Sequence, residues 1–142
     1  MVAPVTRPAA GPARRLAAPL GLLAGAVASF AYVGLVDPNH PGHYPVCPLY
    51  ALTGVYCPGC GGLRCAHAVA TGHLGTALQD NALAVVAFAL CAVLWVRWVW
   101  RARAGRPAPA LRVQGSWGWV LGALVVAFTV ARNLPFGAAL AP

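Results

Sequence analysis

Four of the five cysteines, Cys47, Cys57, Cys60 and Cys65, fall within nineteen residues, and thiol chemistry is the chemistry this chain is best equipped for. Cys57-Pro58-Gly59-Cys60 is a C-x-x-C, a spacing that lets two sulfurs reach each other. Gly61 to Thr71 can form a short helix stopped at Gly72, with Leu63, Ala66 and Ala70 along one side. Its start just after Cys60 would stabilise a thiolate through the partial positive charge of free N–H groups. Arg64, one turn on, adds positive charge. Cys57 and Cys60 are therefore redox candidates. The same pair is half of a zinc knuckle, and Cys47 with Cys65, His67 or His43 would complete four ligands. Zinc is the one cofactor these residues suggest, although a single C-x-x-C without a second matched pair is a weak signal. A third reading is structural. On an oxidising face, disulfides or packed thiols would hold a Pro/Gly-rich turn as a cap, with Gly54, Gly59, Gly61 and Gly62 allowing close backbone approach. The residues leave all three readings open.

Other chemistries lack their parts. The only acids are Asp37 and Asp80, 43 positions apart, so no carboxylate pair is available for acid–base work. His40, His43, His67 and His73 do not form an H-E-x-x-H, and there is no G-x-S-x-G, Walker loop or dinucleotide fingerprint. Cys91, alone in an apolar run, reads as a small packing residue.

The elements that must position the thiols are apolar helices. Of 142 residues, 60% are hydrophobic and only 8% charged, far too little charge for the surface of a soluble domain. Residues 1–15 are Pro/Ala-rich and read as a disordered tail. Residues 16–36 are uncharged and, at about 1.5 Å per residue, make a helix of roughly 30 Å, a bilayer's hydrocarbon thickness. Pro19 is expected in its first turn, where its missing N–H does little harm. A cleaved signal peptide ending at Ala26-Val27-Ala28 competes, but the apolar run continues past that site. Residues 37–81 form the cysteine-rich loop, whose prolines 38, 41, 45 and 48 forbid a regular helix in its first half. A second short turn is expected over 73–79. Residues 82–100 are the second span, 101–116 a basic loop, 117–131 a short third span and 132–142 a tail. The fold class is thus an all-α polytopic membrane protein with about three transmembrane helices and one or two short helices in its loop.

Ten arginines and no lysine give a net charge of +8. They flank the apolar runs, and no basic stripe interleaved with exposed polar residues suggests nucleic acid. Arg7, Arg14 and Arg15 precede the first span, and Arg101, Arg103, Arg106 and Arg112 follow the second. The 37–81 loop has only Arg64. The positive-inside rule then puts the N-terminus in the cytoplasm and the cysteine loop outside, in a multi-pass protein of the cell membrane. Heavy Ala, Gly, Pro and Arg use without Lys suggests a GC-rich bacterial genome.

The loop reads Cys47-Pro48, then Leu52-Thr53-Gly54, then Cys57-Pro58-Gly59-Cys60-Gly61-Gly62-Leu63-Arg64, with Gly72, Leu74, Ala77 and Asn81 beyond. This pattern resembles the domain of unknown function 2752 family of small bacterial membrane proteins, over about Cys47 to Ala87. The resemblance implies membership and no activity. It makes Cys47, Pro48, Thr53, Gly54, Pro58, Gly59, Gly61, Arg64 and Asn81 motif positions. Two departures stand out. Ala82 follows Asn81 where the family often has Pro, and Cys65 and His67 occupy places expected to be small or apolar.

Asn81, at the entry to the second span, is expected to cap free N–H groups that are costly to leave bare in lipid. Arg64 would hold a lipid phosphate or a backbone carbonyl. The expected role is non-enzymatic: a structural or accessory component of the cell envelope, in contact with lipid and with another membrane protein or a second copy. The alternative is a membrane thiol–disulfide or metal-binding protein using Cys57 and Cys60.

Overall fold

The computed structural model describes residues 11–108 and 115–141. Most of the expected N-terminal tail, and Arg112 of the basic loop, lie outside them. The described residues form helices and no strand: α1 (Pro12–Leu35), α2 (Pro48–Thr53), α3 (Gly62–Ala70), α4 (Leu74–Arg103), α5 (Gly115–Arg132) and a 3-10 helix (Pro135–Leu140). Of these, α1, α4 and α5 are long and apolar enough to cross a membrane. Leu20, Leu22, Val27, Leu90, Val93 and Leu124 stand more than half exposed along them. Such a surface suits hydrocarbon, where each helix satisfies its own backbone polar groups.

The boundaries depart from the sequence reading for identifiable reasons. Helix α1 starts at Pro12, because proline at the first position is preset for helix and loses no bond there. Pro19 consequently lies inside the helix rather than in its first turn; it is fully buried, and its carbonyl accepts from Trp95 Nε1 at 2.9 Å. The turn expected over 73–79 is continuous with the second span: α4 runs thirty residues, broken only at Asn81 (φ −164°, ψ 92°). Helix α5 takes in Gly115, Ser116 and Arg132 and reaches eighteen residues, about 27 Å.

Helix α3 packs against both α4 and α1, which also touch each other. Cys65, Ala68 and Ala77 form the buried centre, with Val69, Ala84, Val85 and Phe88 against it. Phe30 of α1 meets Phe88 of α4 edge to face at 5.2 Å. Small residues make the closeness possible: a Cβ added at Gly34 would already lie 3.4 Å from Ala70 Cβ. The end of α1, the start of α4 and the end of α5 converge on the cysteine-bearing segment, which caps one end of the bundle. At the other end Arg15 of α1 lies beside Gly105, just past α4.

Candidate thiol and metal centre

Each thiol of the cap is placed by a local turn. Cys47 caps α2, with Pro48 at the first helical position. Thr53 ends that helix by donating to the Leu49 carbonyl at 2.6 Å and accepting from Val55 N–H at 3.2 Å. Gly54 completes the stop in the left-handed region (φ +69°), its N–H on the Tyr50 carbonyl. The chain thereby reverses and brings Cys57 back to Cys47. A tight turn follows, Cys60 N–H donating to the Cys57 carbonyl at 3.1 Å. Gly61, also left-handed (φ +77°), then starts α3.

The result is a cluster of three sulfurs. Cys57 Sγ lies 3.2 Å from Cys60 Sγ and 3.5 Å from Cys47 Sγ, and all three fall within 4.8 Å of one another. None is joined in a disulfide. With Zn–S bonds of about 2.3 Å, two sulfurs on one tetrahedral zinc lie about 3.8 Å apart, close to the spacing found. Cys65 and His67, candidates for the same ligand set, go elsewhere. Cys65 is fully buried in the helical core, its Sγ against the Asn81 carbonyl at 3.6 Å. His67 bonds through Nδ1 to the Val33 carbonyl at 2.8 Å, with Nε2 3.8 Å from Asp37, and so ties α3 to the end of α1.

Beneath the cluster the carbonyls of the C-x-x-C turn are held by two buried side chains. Asn81 Nδ2 donates to Pro58 O at 2.9 Å and to Cys60 O at 3.0 Å, while its Oδ1 accepts from Ala84 N–H at 2.9 Å. One side chain thus caps the membrane-spanning part of α4 and anchors the turn. Ala82 stands at the first position of that part. The second anchor is Arg132, the last residue of α5, only 1% exposed. Its Nη1 donates to Cys57 O at 3.0 Å and Cys60 O at 3.1 Å, and Nη2 to Asp80 O at 3.4 Å. Its guanidinium lies over the rings of Phe128 and Tyr56. Asn133 continues the grip, accepting from Tyr56 N–H at 2.8 Å and donating to Tyr56 O at 2.9 Å.

Sequence reasoning missed Arg132 and Asn133, assigning both to a tail. A signal was present: an arginine closing an apolar run in a chain with two acids must find carbonyl or aromatic partners.

The three thiols are electrostatically unequal. The N–H of Tyr50, in the first turn of α2, lowers the Cys47 pKa, helped by the Cys60 and Cys57 thiols. Burial, then hydrogen bonding from Cys57 and Cys47, pushes Cys60 up to about 11. Burial also raises Cys65, with the Asp80 charge adding to it. A cavity of about 500 Å³ opens over the cluster, walled by Cys47, Cys60, Tyr50, Tyr56 and Arg64 and the Pro/Gly-rich 38–46 segment. Of the three clustered cysteines, Cys47 and the buried Cys60 line it.

Comparison with curated proteins and with solved structures gives no match to this chain. Residues 47–95 match the model of a family described as a protein of unknown function (DUF2752). That span holds α2, the cysteine turn, α3 and most of α4, and excludes Arg132. The segment that builds the thiol cluster and carries Asn81 is thus the part of the chain that matches the family model, which supports the resemblance drawn from the sequence.

Proposed function

We propose that this is a small multi-pass membrane protein whose cap holds a thiophilic metal ion, zinc in the simplest case, on Cys47, Cys57 and Cys60. The observation that carries this reading is the meeting of three unbonded sulfurs within 4.8 Å. Charge supports it. Three thiolates on a divalent ion leave one net negative charge, and the buried guanidinium of Arg132 lies directly under the turn to offset it. Order of ionisation supports it too, since the Tyr50 N–H holds the Cys47 thiol below its ordinary value, toward the thiolate that a metal requires. Three protein ligands under an open cavity is the pattern of a site that takes a fourth ligand from solution.

A thiol–disulfide function is favoured by one observation, the 3.2 Å separation of Cys57 and Cys60 sulfurs within a C-x-x-C. The positive-inside rule favours the outer face for the cap, and there oxidation would compete with metal. A purely structural cap would need neither metal nor reversible oxidation.

Metal analysis of the full chain, purified in mild detergent with and without reductant, separates the three. The metal reading expects about one zinc per chain, lost in Cys57→Ser and Cys60→Ser and retained in Cys65→Ser and Cys91→Ser. A Cys57–Cys60 disulfide in the isolated protein, together with metal-free reduced protein, would defeat it in favour of the redox reading. Folded, metal-free, unoxidised protein that tolerates all three serine substitutions would leave the structural cap.

A further inference from the structure

The end of the bundle opposite the cap carries a second concavity, of about 160 Å³, walled by Arg97, Trp100, Arg101, Ala104 and Arg106. Helical spacing puts Arg97, Trp100 and Arg101 on one stripe of α4, which Ala104, its C-cap, continues. Gly105, left-handed at φ +69°, turns the chain back, and Arg106 N–H donates to the Arg101 carbonyl at 2.9 Å. That turn swings a third guanidinium onto the stripe. Arg101 is oriented by its own bond, Nε to the Pro107 carbonyl at 3.0 Å, which leaves its two Nη groups free of that contact.

Three guanidiniums around one small cavity repel one another unless an anion joins them. The chain has no side-chain carboxylate to supply it. Its two acids, Asp37 and Asp80, belong to the cap end. Along α4, Asp80 is seventeen residues from Arg97, roughly 26 Å of helix. The cavity exceeds several water volumes at about 30 Å³ each, so it has room for a phosphate group. Trp100, 72% exposed beside it, sits where the apolar helix meets its charged end, the position of an interfacial aromatic anchor.

We propose that Arg97, Arg101 and Arg106, beside Trp100, form a binding site for a phosphate or phosphodiester anion, supplied by a phospholipid headgroup or by phosphate in solution. Guanidinium forks match the tetrahedral oxygens of such a group better than a diffuse positive surface would. This site is independent of the thiol cluster.

Native mass spectrometry of the full chain in neutral detergent, at physiological ionic strength, tests it with phosphatidylglycerol against phosphatidylcholine. A parallel arm titrates inorganic phosphate against chloride and reads tryptophan fluorescence. The expected result is retention of phosphatidylglycerol at least tenfold over phosphatidylcholine. The double variant Arg97→Gln/Arg101→Gln should lose about tenfold, and Arg14→Gln/Arg103→Gln, with the same change in charge, less than threefold. Phosphate binding with that same variant pattern and no lipid preference would keep the site and assign its ligand to solution. If both double variants lose equally, or neither anion is preferred, the proposal is wrong. Should the α4 double variant lose helicity, the single Arg106→Gln replaces it, with about a threefold loss expected and no loss overturning the site.

Discussion

Arg132 and Asn81 share one acceptor: the carbonyl oxygen of Cys60 takes a bond from Arg132 Nη1 at 3.1 Å and from Asn81 Nδ2 at 3.0 Å. The two residues come from different membrane-spanning helices, and both are almost wholly buried. The turn carrying two of the three clustered thiols is thus fixed from below by α4 and α5 together.

Removing the guanidinium should cost more than removing any cap thiol. Arg132→Met removes the charge-assisted bonds to the part-buried Cys57 and Asp80 carbonyls, each such bond being worth about 1.5–3 kcal/mol. A destabilisation of about 3 kcal/mol is expected, with a lowered thermal midpoint in detergent. Arg132→Lys should recover only part of it, because a single ammonium cannot span three carbonyls. Equal stability of Arg132→Met and wild type would show that the grip contributes nothing.

Asn81 does two tasks with two atoms, so two substitutions should separate them. Asn81→Ala loses the cap on Ala84 N–H and both donated bonds, an expected loss of about 2–3 kcal/mol. Asn81→Asp keeps an acceptor for Ala84 but points a carboxylate at two carbonyls. Hydrogen exchange at the Ala84 amide should accelerate strongly in the alanine variant and much less in the aspartate variant.

Thiol reactivity should follow the separation of pKa values. In reduced, metal-free protein the Cys47 thiolate forms at lower pH than an ordinary thiol, so alkylation mapped by mass spectrometry should find Cys47 ahead of Cys60 at pH 7–8. Cys60 should reach half its maximal rate only near pH 11. The sign for stability follows: because folding raises the Cys60 pKa, the folded state holds its proton more tightly. Stability should then fall as pH rises from the ordinary thiol value of 9.0 toward about 11. Equal alkylation rates for the two thiols across this range would contradict the assignment.

Gly61 stands between Cys60 and α3 at φ +77°, a conformation that costs a side-chain-bearing residue about 1–2 kcal/mol. Gly61→Ala should lower the thermal midpoint. It should also weaken zinc retention relative to Gly62→Ala, whose Cβ meets nothing within 4 Å and whose backbone is helical. Identical zinc retention in the two variants would show that this turn does not set the thiol geometry.

Much of the architecture was legible because membrane spans are written in composition and length. The three apolar runs are all helices, and the fold is all-α as expected. The cysteine motif was legible as a motif, and its Thr53-Gly54 step proves to be the stop of α2 that folds Cys57 onto Cys47. What stayed hidden depended on register and on long-range meetings. Cys65 lies so near Cys60 in sequence that it looked like a fourth ligand, but one turn into α3 it faces α4 instead. Arg132 lies 72 residues beyond Cys60, and no local pattern announces that pairing. The joining of the 73–79 turn to the second span was hidden because an asparagine interrupts helical geometry there without ending the helix.

The hold of α5 on the cysteine turn has a consequence for how the chain is made. Synthesis delivers α1 through α4 first, with Cys57, Cys60 and Asp80 carbonyls still lacking the guanidinium that later binds them. The cap therefore gains its last anchor only when α5 is in place and Arg132 reaches these carbonyls. Docking of α5 and the final fixing of the cysteine turn become a single event, and a chain that stalls before α5 leaves its cysteines on a loosened turn.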